Sequence, residues 1–191
     1  APQPDEKAII EGTYVNFGDQ TICECEVKDT GSLTIPINTS VTVKGKIVNA
    51  GILTVESDAN LIQVEDAALN SGNITAKRAI KVGALRNQYN YLGTPVNFAS
   101  GETFKTIYPG TTFVLYHNET NNMFYNSSGV NIPGRGLAVK EPTGSGATNV
   151  TATYKGVPQN GKILFPVANK DANPAVTTFG YNLVGNPYPS N

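Results

Sequence analysis

Four glycines, Gly12, Gly31, Gly51 and Gly72, recur at intervals of 19, 20 and 21 residues. Aligning the chain on them places Leu33-Thr34-Ile35 over Leu53-Thr54-Val55, Val41 over Leu61 and Asn49 beside Asn70, with Ile74 opening a further copy. Within each copy apolar residues alternate with polar ones: Leu33, Ile35 and Ile37, then Val41 and Val43, then Leu53 and Val55. Period two is the signature of strands, and helical spacing is not sustained here. A unit of about 20 residues, made of short alternating strands broken at Asp29-Thr30-Gly31, Asn49-Ala50-Gly51 and Asn70-Ser71-Gly72, has the form of one rung of a β-solenoid. One rung buries too few aliphatic side chains to offset the entropy of ordering its backbone, so rungs must stack and the two end rungs need caps. The Pro-containing start before Gly12 is expected to be the first cap, because proline cannot extend a hydrogen-bond ladder, and the rest of the chain the second.

Composition narrows what such a chain can do. The 191 residues suffice for one large or two small domains. Charged residues make up 15%, against about 25% in an average soluble domain. With a formal net charge of −1 and no Lys/Arg run, the chain lacks the positive field that nucleic acid demands, and no nucleic-acid partner is expected. No apolar stretch approaches the roughly 20 residues of a membrane-spanning helix, so no direct membrane insertion is expected. The start Ala1-Pro2-Gln3-Pro4 lacks a basic-then-apolar leader, and the sequence is expected to begin after any signal.

From about Lys77 the repeat gives way to longer, aromatic-rich segments punctuated by Gly, Pro and Asn, which places a boundary within residues 77–88. Strands are expected at 89–92, 112–117, 136–140, 149–154, 161–167 and 181–184, a number that suggests a sandwich. The expected fold is thus all-β: a short right-handed β-solenoid over residues 1–80 with an N-terminal cap, followed over 81–191 by an antiparallel β-sandwich-like domain cut short at its C-terminus. Gly134-Arg135-Gly136, between Pro133 and the strand Leu137-Ala138-Val139, reads as a turn or bulge and not as a phosphate cradle, since no helix follows. Tyr89-Asn90-Tyr91-Leu92-Gly93-Thr94-Pro95-Val96 and Tyr181-Asn182-Leu183-Val184-Gly185-Asn186-Pro187-Tyr188 share the pattern Tyr-Asn-Φ-Φ-Gly-x-Pro-Φ, where Φ is apolar. They are expected to be neighbours or pseudo-symmetric partners in one sheet.

The rungs Asn49-Ala50-Gly51-Ile52-Leu53-Thr54-Val55 and Gly72-Asn73-Ile74-Thr75-Ala76, the Gly134-Arg135-Gly136-Leu137-Ala138-Val139 strand, and the ending Gly180-Tyr181-Asn182-Leu183-Val184-Gly185-Asn186-Pro187-Tyr188-Pro189-Ser190 resemble the terminal region of large secreted and cell-surface proteins of Bacteroidetes. The resemblance covers roughly residues 31–191. It implies a protein exported across the outer membrane, commonly by the type IX secretion route, extracellular or on the cell surface, often adhesive and often very large. It brings no shared catalytic residues. Family members continue past the Asn-Pro-Tyr-Pro motif, so the chain reads as a portion of a longer protein.

The residues offer little chemistry. Cys23 and Cys25 lie two apart, on one face of an extended strand and near the upper separation for an unstrained disulfide. Two reduced thiols, an unusual local disulfide or half of a metal site all fit, although His117, the sole histidine, leaves a zinc site short of ligands. His117 has no neighbouring nucleophile, and Glu65-Asp66 reads as a solvated rung corner, not as a glycosidase pair. Lys44, Lys46, Lys77 and Arg78 are too few for a solenoid lyase. Oxygen-rich turns at Asp58, Asp66 and Asp171-Ala172-Asn173 suit calcium in type but match no known loop spacing. Five Asn-x-Ser/Thr triplets, from Asn38 to Asn149, are read as chance in an Asn/Thr-rich chain. Phe113 to Tyr116 and Met123 to Tyr125 read as two arms of a hairpin around 118–122.

Tyr108, Tyr116, Phe124 and Tyr125 could form a sugar-stacking platform, but the favoured reading is that they fill the sandwich core. No catalytic residue, cofactor or metal is expected. The expected function is a non-enzymatic secreted or cell-surface structural or adhesion protein, partnered by polysaccharide, surface proteins or components of secretion and surface assembly. The rival is a carbohydrate-binding accessory module of a polysaccharide-active protein.

Overall fold

The computed structural model describes residues 2–81, 89–108, 113–127, 129–140, 149–169 and 180–190. The alternating segments form three-sided coils. Strands β1 (Lys7–Ile10), β2 (Thr13–Val15) and β3 (Gln20–Ile22) make the first coil. The second comprises β4 (Glu24–Val27), β5 (Ser32–Ile35) and β6 (Ser40–Val43), and the third β7 (Ile47–Asn49), β8 (Ile52–Val55) and β9 (Asn60–Gln63). β10 (Ile74–Lys81) opens a fourth. Each side of the stack is a parallel sheet: β1-β4-β7, β2-β5-β8-β10 and β3-β6-β9.

The register follows from the alternation. Leu33 pairs with Leu53, Ile35 with Val55 and Val41 with Leu61, while pairing of Thr54 with Thr75 sets Ile74 beside Leu53. Every one of these aliphatic residues is buried, with Leu33 at 3% exposure and Leu53 and Ile74 at 1%. They form continuous inward columns, because a side-chain period of two sends all polar partners outward.

Two columns of corner residues hold the coils together. A Cβ on Gly31 would lie 2.1 Å from the Ile10 carbonyl oxygen, one on Gly51 2.1 Å from that of Lys28, and one on Gly72 1.7 Å from that of Asn49. The glycine period is therefore a close-approach requirement, each glycine leaving room for a carbonyl of the preceding coil. At the next corner Gly18, Asn38 and Asp58, 20 residues apart, adopt left-handed φ values of 59°, 61° and 60°, a conformation that Gly, Asn and Asp enter most readily. The outer face of the first sheet adds ion pairs. Glu26 meets both Lys28 and, at 2.6 Å, Lys7. Hydrogen bonds from Lys28 and Lys7 hold its carboxyl down to about 2.

The end of the stack after the third coil is covered on every side. β10 pairs antiparallel along its whole length with β16 (Asn149–Pro158), and β12 (Val96–Phe98) pairs with β16 in turn. The edge of β9 is met by the C-terminal segment, with the Leu61 N–H donating to the Pro189 carbonyl at 2.9 Å. On the first sheet Val48 bridges to Ser71, and the Asn70 side chain accepts the Ile47 N–H at 2.9 Å. Packed against β16 is the single turn α1 (Phe104–Ile107), begun by a capping box between Thr103 and Thr106.

A second, antiparallel sheet has the order β11-β15-β13-β14, from β11 (Tyr89–Leu92), β13 (Val114–Asn118), β14 (Met123–Asn126) and β15 (Leu137–Lys140). One buried cluster includes core residues of the coils together with Leu137 and Val139 of this sheet. No helix among the described residues is long and apolar enough to cross a membrane.

Several expectations need correction in detail. Ile37 is 56% exposed, because Pro36 and Asn38 turn the chain at a corner and end the alternation at Ile35. Asn70 falls opposite Ile47 and not Asn49, a consequence of the Val48–Ser71 bridge. Residues 161–167 form no strand, and 181–184 contribute only the bridge of Val184 to Arg135. The segment expected to cap the first coil contains β1 itself. β10, which reaches into the expected boundary, belongs to the parallel stack and to the antiparallel extension alike. The two Tyr-Asn-Φ-Φ-Gly-x-Pro-Φ segments do adjoin: a Cβ on Gly185 would lie 2.6 Å from the Gly93 Cα, and one on Gly93 2.1 Å from the Asn186 carbonyl.

Cys23 and Cys25 are free thiols, so no local disulfide forms. Burial pushes the Cys25 thiol up from 9.0 to about 11. A thiol kept protonated by the fold favours the folded chain below pH 9, and that contribution fades between about 9 and about 11 as the unfolded thiolate forms. Iodoacetamide at pH 8 is expected to alkylate at most Cys23 in the folded protein and both cysteines in denaturant, read by intact mass.

Candidate functional site

Met123, Phe124 and Tyr125 form an exposed group of large side chains on the β13–β14 hairpin. Its tip is set by asparagines: Asn118 Oδ1 accepts the Thr120 N–H at 3.0 Å, starting a 3-10 turn over Glu119–Asn121, and Asn122 ends it in the left-handed region at φ 53°. The short side chain of Asn tolerates that conformation and bonds locally. Asn122 Oδ1 also lies 3.0 Å from His117 Nε2. Pairing then runs His117 with Phe124 and Tyr116 with Tyr125, the hairpin that the sequence suggested.

Directly paired residues share a face of the sheet, and successive residues alternate. The candidate aromatics are accordingly split. Tyr116 and Tyr125 stack on one face, centroids 5.9 Å apart and planes at 30°. The Arg135 guanidinium sits 4.7 Å from the centroid of the Tyr116 ring, a cation–π arrangement, and Asn121 donates to the Tyr125 hydroxyl. Phe124 is on the opposite face with His117, ring centroids 5.0 Å apart. Tyr108 belongs to neither face. It is 1% exposed, packed edge-on against Tyr154 at 5.8 Å with their hydroxyls bonded, and burial raises the pKa of both phenols. Of the four candidates, Tyr108 is core, because α1 turns its side chain inward beside Phe104 and Ile107. The other three present two separate surfaces, with Phe124 45% and Tyr125 41% exposed.

Beside the Tyr116 face lies a cavity of about 270 Å³ lined by Tyr116, His117, Arg135, Phe165, Asn182 and Leu183, among others. Leu183 is held there by its carbonyl, which accepts the Gly136 N–H at 3.0 Å. Asn182 is fixed by a pair of bonds to the Ala168 N–H and carbonyl, at 3.1 and 2.8 Å. Glu119 accepts the Gly180 N–H at 3.1 Å. The result is an apolar ring surface beside a guanidinium, side-chain amides and a carboxylate, held on a rigid sheet. Ring faces beside polar side chains are the chemistry that stacking and hydrogen bonding to a flat or ring-shaped ligand require.

Arg135 was not anticipated as part of a site. Its neighbours Gly134 and Gly136 form a turn, with Gly134 at φ 81°. A guanidinium two residues before an apolar strand was the available signal. The remaining candidates lie apart from this surface: Glu56 is bonded to Lys77 at 2.8 Å, and Glu65 and Asp66 are exposed at a corner closed by the Ala68 N–H on the Glu65 carbonyl. Among the described residues no group of three or more His, Cys, Asp or Glu could hold a metal ion, and the Asp171-Ala172-Asn173 turn lies outside them.

Fold and site together define an all-β protein of stacked parallel coils that carries an exposed aromatic hairpin on an adjoining antiparallel sheet. Over residues 1–191 its sequence matches the family described as a domain of unknown function, DUF8693, and the chain belongs to that family. No curated protein and no solved structure matches it.

Proposed function

We propose that this chain is a non-enzymatic secreted or cell-surface protein with a structural and adhesive role, part of a larger substrate of the type IX secretion route of Bacteroidetes. Its coils wind right-handed as a stalk, and the antiparallel part acts as a sandwich-like head. The observation that carries this reading is the arrangement of the exposed hairpin: Met123, Phe124 and Tyr125 stand open on a sheet braced against a stack of coils. A rigid stack supplies reach, and an exposed apolar tip supplies contact area. Antibody raised to the chain is expected to label intact producing cells or their medium, and deletion of the encoding region to reduce their adhesion. Antigen confined to the cell interior, with adhesion unchanged, contradicts the proposal.

The Tyr116–Tyr125 stack beside Arg135 favours a second reading, a carbohydrate-binding accessory module. A glycan array separates the two. On this second reading a retained glycan loses about tenfold or more in affinity with Tyr125→Ala, and Tyr108→Ala has no selective effect beyond destabilising the fold. An array without any retained glycan removes the second reading and leaves adhesion through surface proteins.

A further inference from the structure

The two ends of the coil stack differ. After the third coil all three sheets are covered, by β16 and β12, by Ser71 and Asn70, and by Pro189. Before the first coil, β1, β2 and β3 are each the terminal strand of their sheet among the described residues. Between them opens a cavity of about 370 Å³, whose lining includes Ala8, Ile10, Tyr14, Ile22, Leu33 and Val41, the inward columns seen end-on. Unpaired parallel edges around an apolar mouth are what every internal coil presents to the next.

Gly12 identifies what fits there. It occupies the same corner as Gly31, Gly51 and Gly72, each of which accommodates a backbone carbonyl of the preceding coil at 1.7 to 2.1 Å from where a Cβ would stand. A Cβ on Gly12 would meet nothing within 4 Å, and its φ is not in the left-handed region. Neither the fold of this chain nor its backbone conformation requires glycine at that position. Pro2 lines the cavity mouth, so polypeptide entering through it arrives on the end face. A second copy of the chain cannot continue the stack head-to-tail, since its far end is the covered one.

We propose that this end is a docking surface for one further parallel β-coil of the same three-strand build, carried on polypeptide joined ahead of Pro2, and that Gly12 is the seat for that coil's corner carbonyl. The interface continues the one already formed between the first and second coils, and the inference is independent of any ligand at the hairpin.

The test replaces residues 1–6 by a copy of residues 24–45, so that Lys7 and Ala8 stand in the register of Lys46 and Ile47. The added coil is expected to raise the thermal midpoint by about 5 °C or more, and Gly12→Val to abolish that gain. In the chain without the added coil, Gly12→Val is expected to leave the midpoint within about 2 °C, whereas Gly31→Val lowers it sharply. Three outcomes overturn the proposal: no gain from the added coil, an equal gain with Gly12→Val, or a dimer of the unextended chain, detected by light scattering, that Gly12→Val dissociates. The last would make the occupant a second copy meeting end to end.

Discussion

Leu53→Asp is expected to lower stability by several kcal/mol, while Ile52→Asp, one residue away on the same strand, changes it by less than about 1 kcal/mol. Leu53 is 1% exposed and stands between Leu33 and Ile74 in an inward column. Aspartate there would be a charge without a partner in an aliphatic interior, a change of several kcal/mol against a total stability of about 5 to 15 kcal/mol. Ile52 is 61% exposed, because the strand alternates, and its replacement leaves the interior intact. Denaturant unfolding followed by circular dichroism reads both. Equal effects of the two substitutions would mean that the register is not the one described.

Gly72→Ala carries the second large effect. The position combines a φ of 82° with the tightest backbone approach of the corner glycines, the Asn49 carbonyl oxygen standing 1.7 Å from where the Cβ would be. The methyl group must push the third and fourth coils apart or break the turn, and a loss of about 3 kcal/mol or more is expected. Gly101→Ala is the matched control. Its φ of 84° is nearly the same, but nothing lies within 4 Å of the added carbon. Only the conformational penalty remains there, about 1 to 2 kcal/mol. If the two variants lose the same stability, the glycine period has a conformational origin and not a stacking one.

The coils were legible because their determinants are local and repeated. The glycine interval, the alternation of Leu33 and Ile35 with their neighbours, and the Asn-rich tip between Tyr116 and Tyr125 each report a short-range constraint that the sequence states directly. What closes the stack was not legible. The bond from Leu61 to Pro189 and the docking of Arg78 on the Ser190 carbonyl at 3.2 Å join segments far apart in the chain, and no periodicity marks them. The left-handed column of Gly18, Asn38 and Asp58 has the same 20-residue period as the corner glycines but three different residue types, which hid it.

At the site, the hairpin was readable but the sharing of its faces needed the register. Tyr108 fills the core, the role favoured for it, although one turn of helix is too short to show as a period. Its spacing with Phe104 and Ile107, at i, i+3 and i+4, was nevertheless the sign of a buried helical face. Arg135 required the tertiary structure, since only folding brings the turn before β15 over the Tyr116 ring.

The central claim is that aliphatic side chains about 20 residues apart stack in register as parallel coils. Methyl–methyl NOE spectroscopy on a selectively labelled sample tests it most directly, because methyl groups on adjacent parallel strands lie about 5 Å apart. Strong cross-peaks are expected from Leu33 to Leu53 and from Leu53 to Ile74, with none between Leu33 and Ile74, two coils apart. Absence of the first two, or a direct contact between Leu33 and Ile74, would contradict the stacked-coil account.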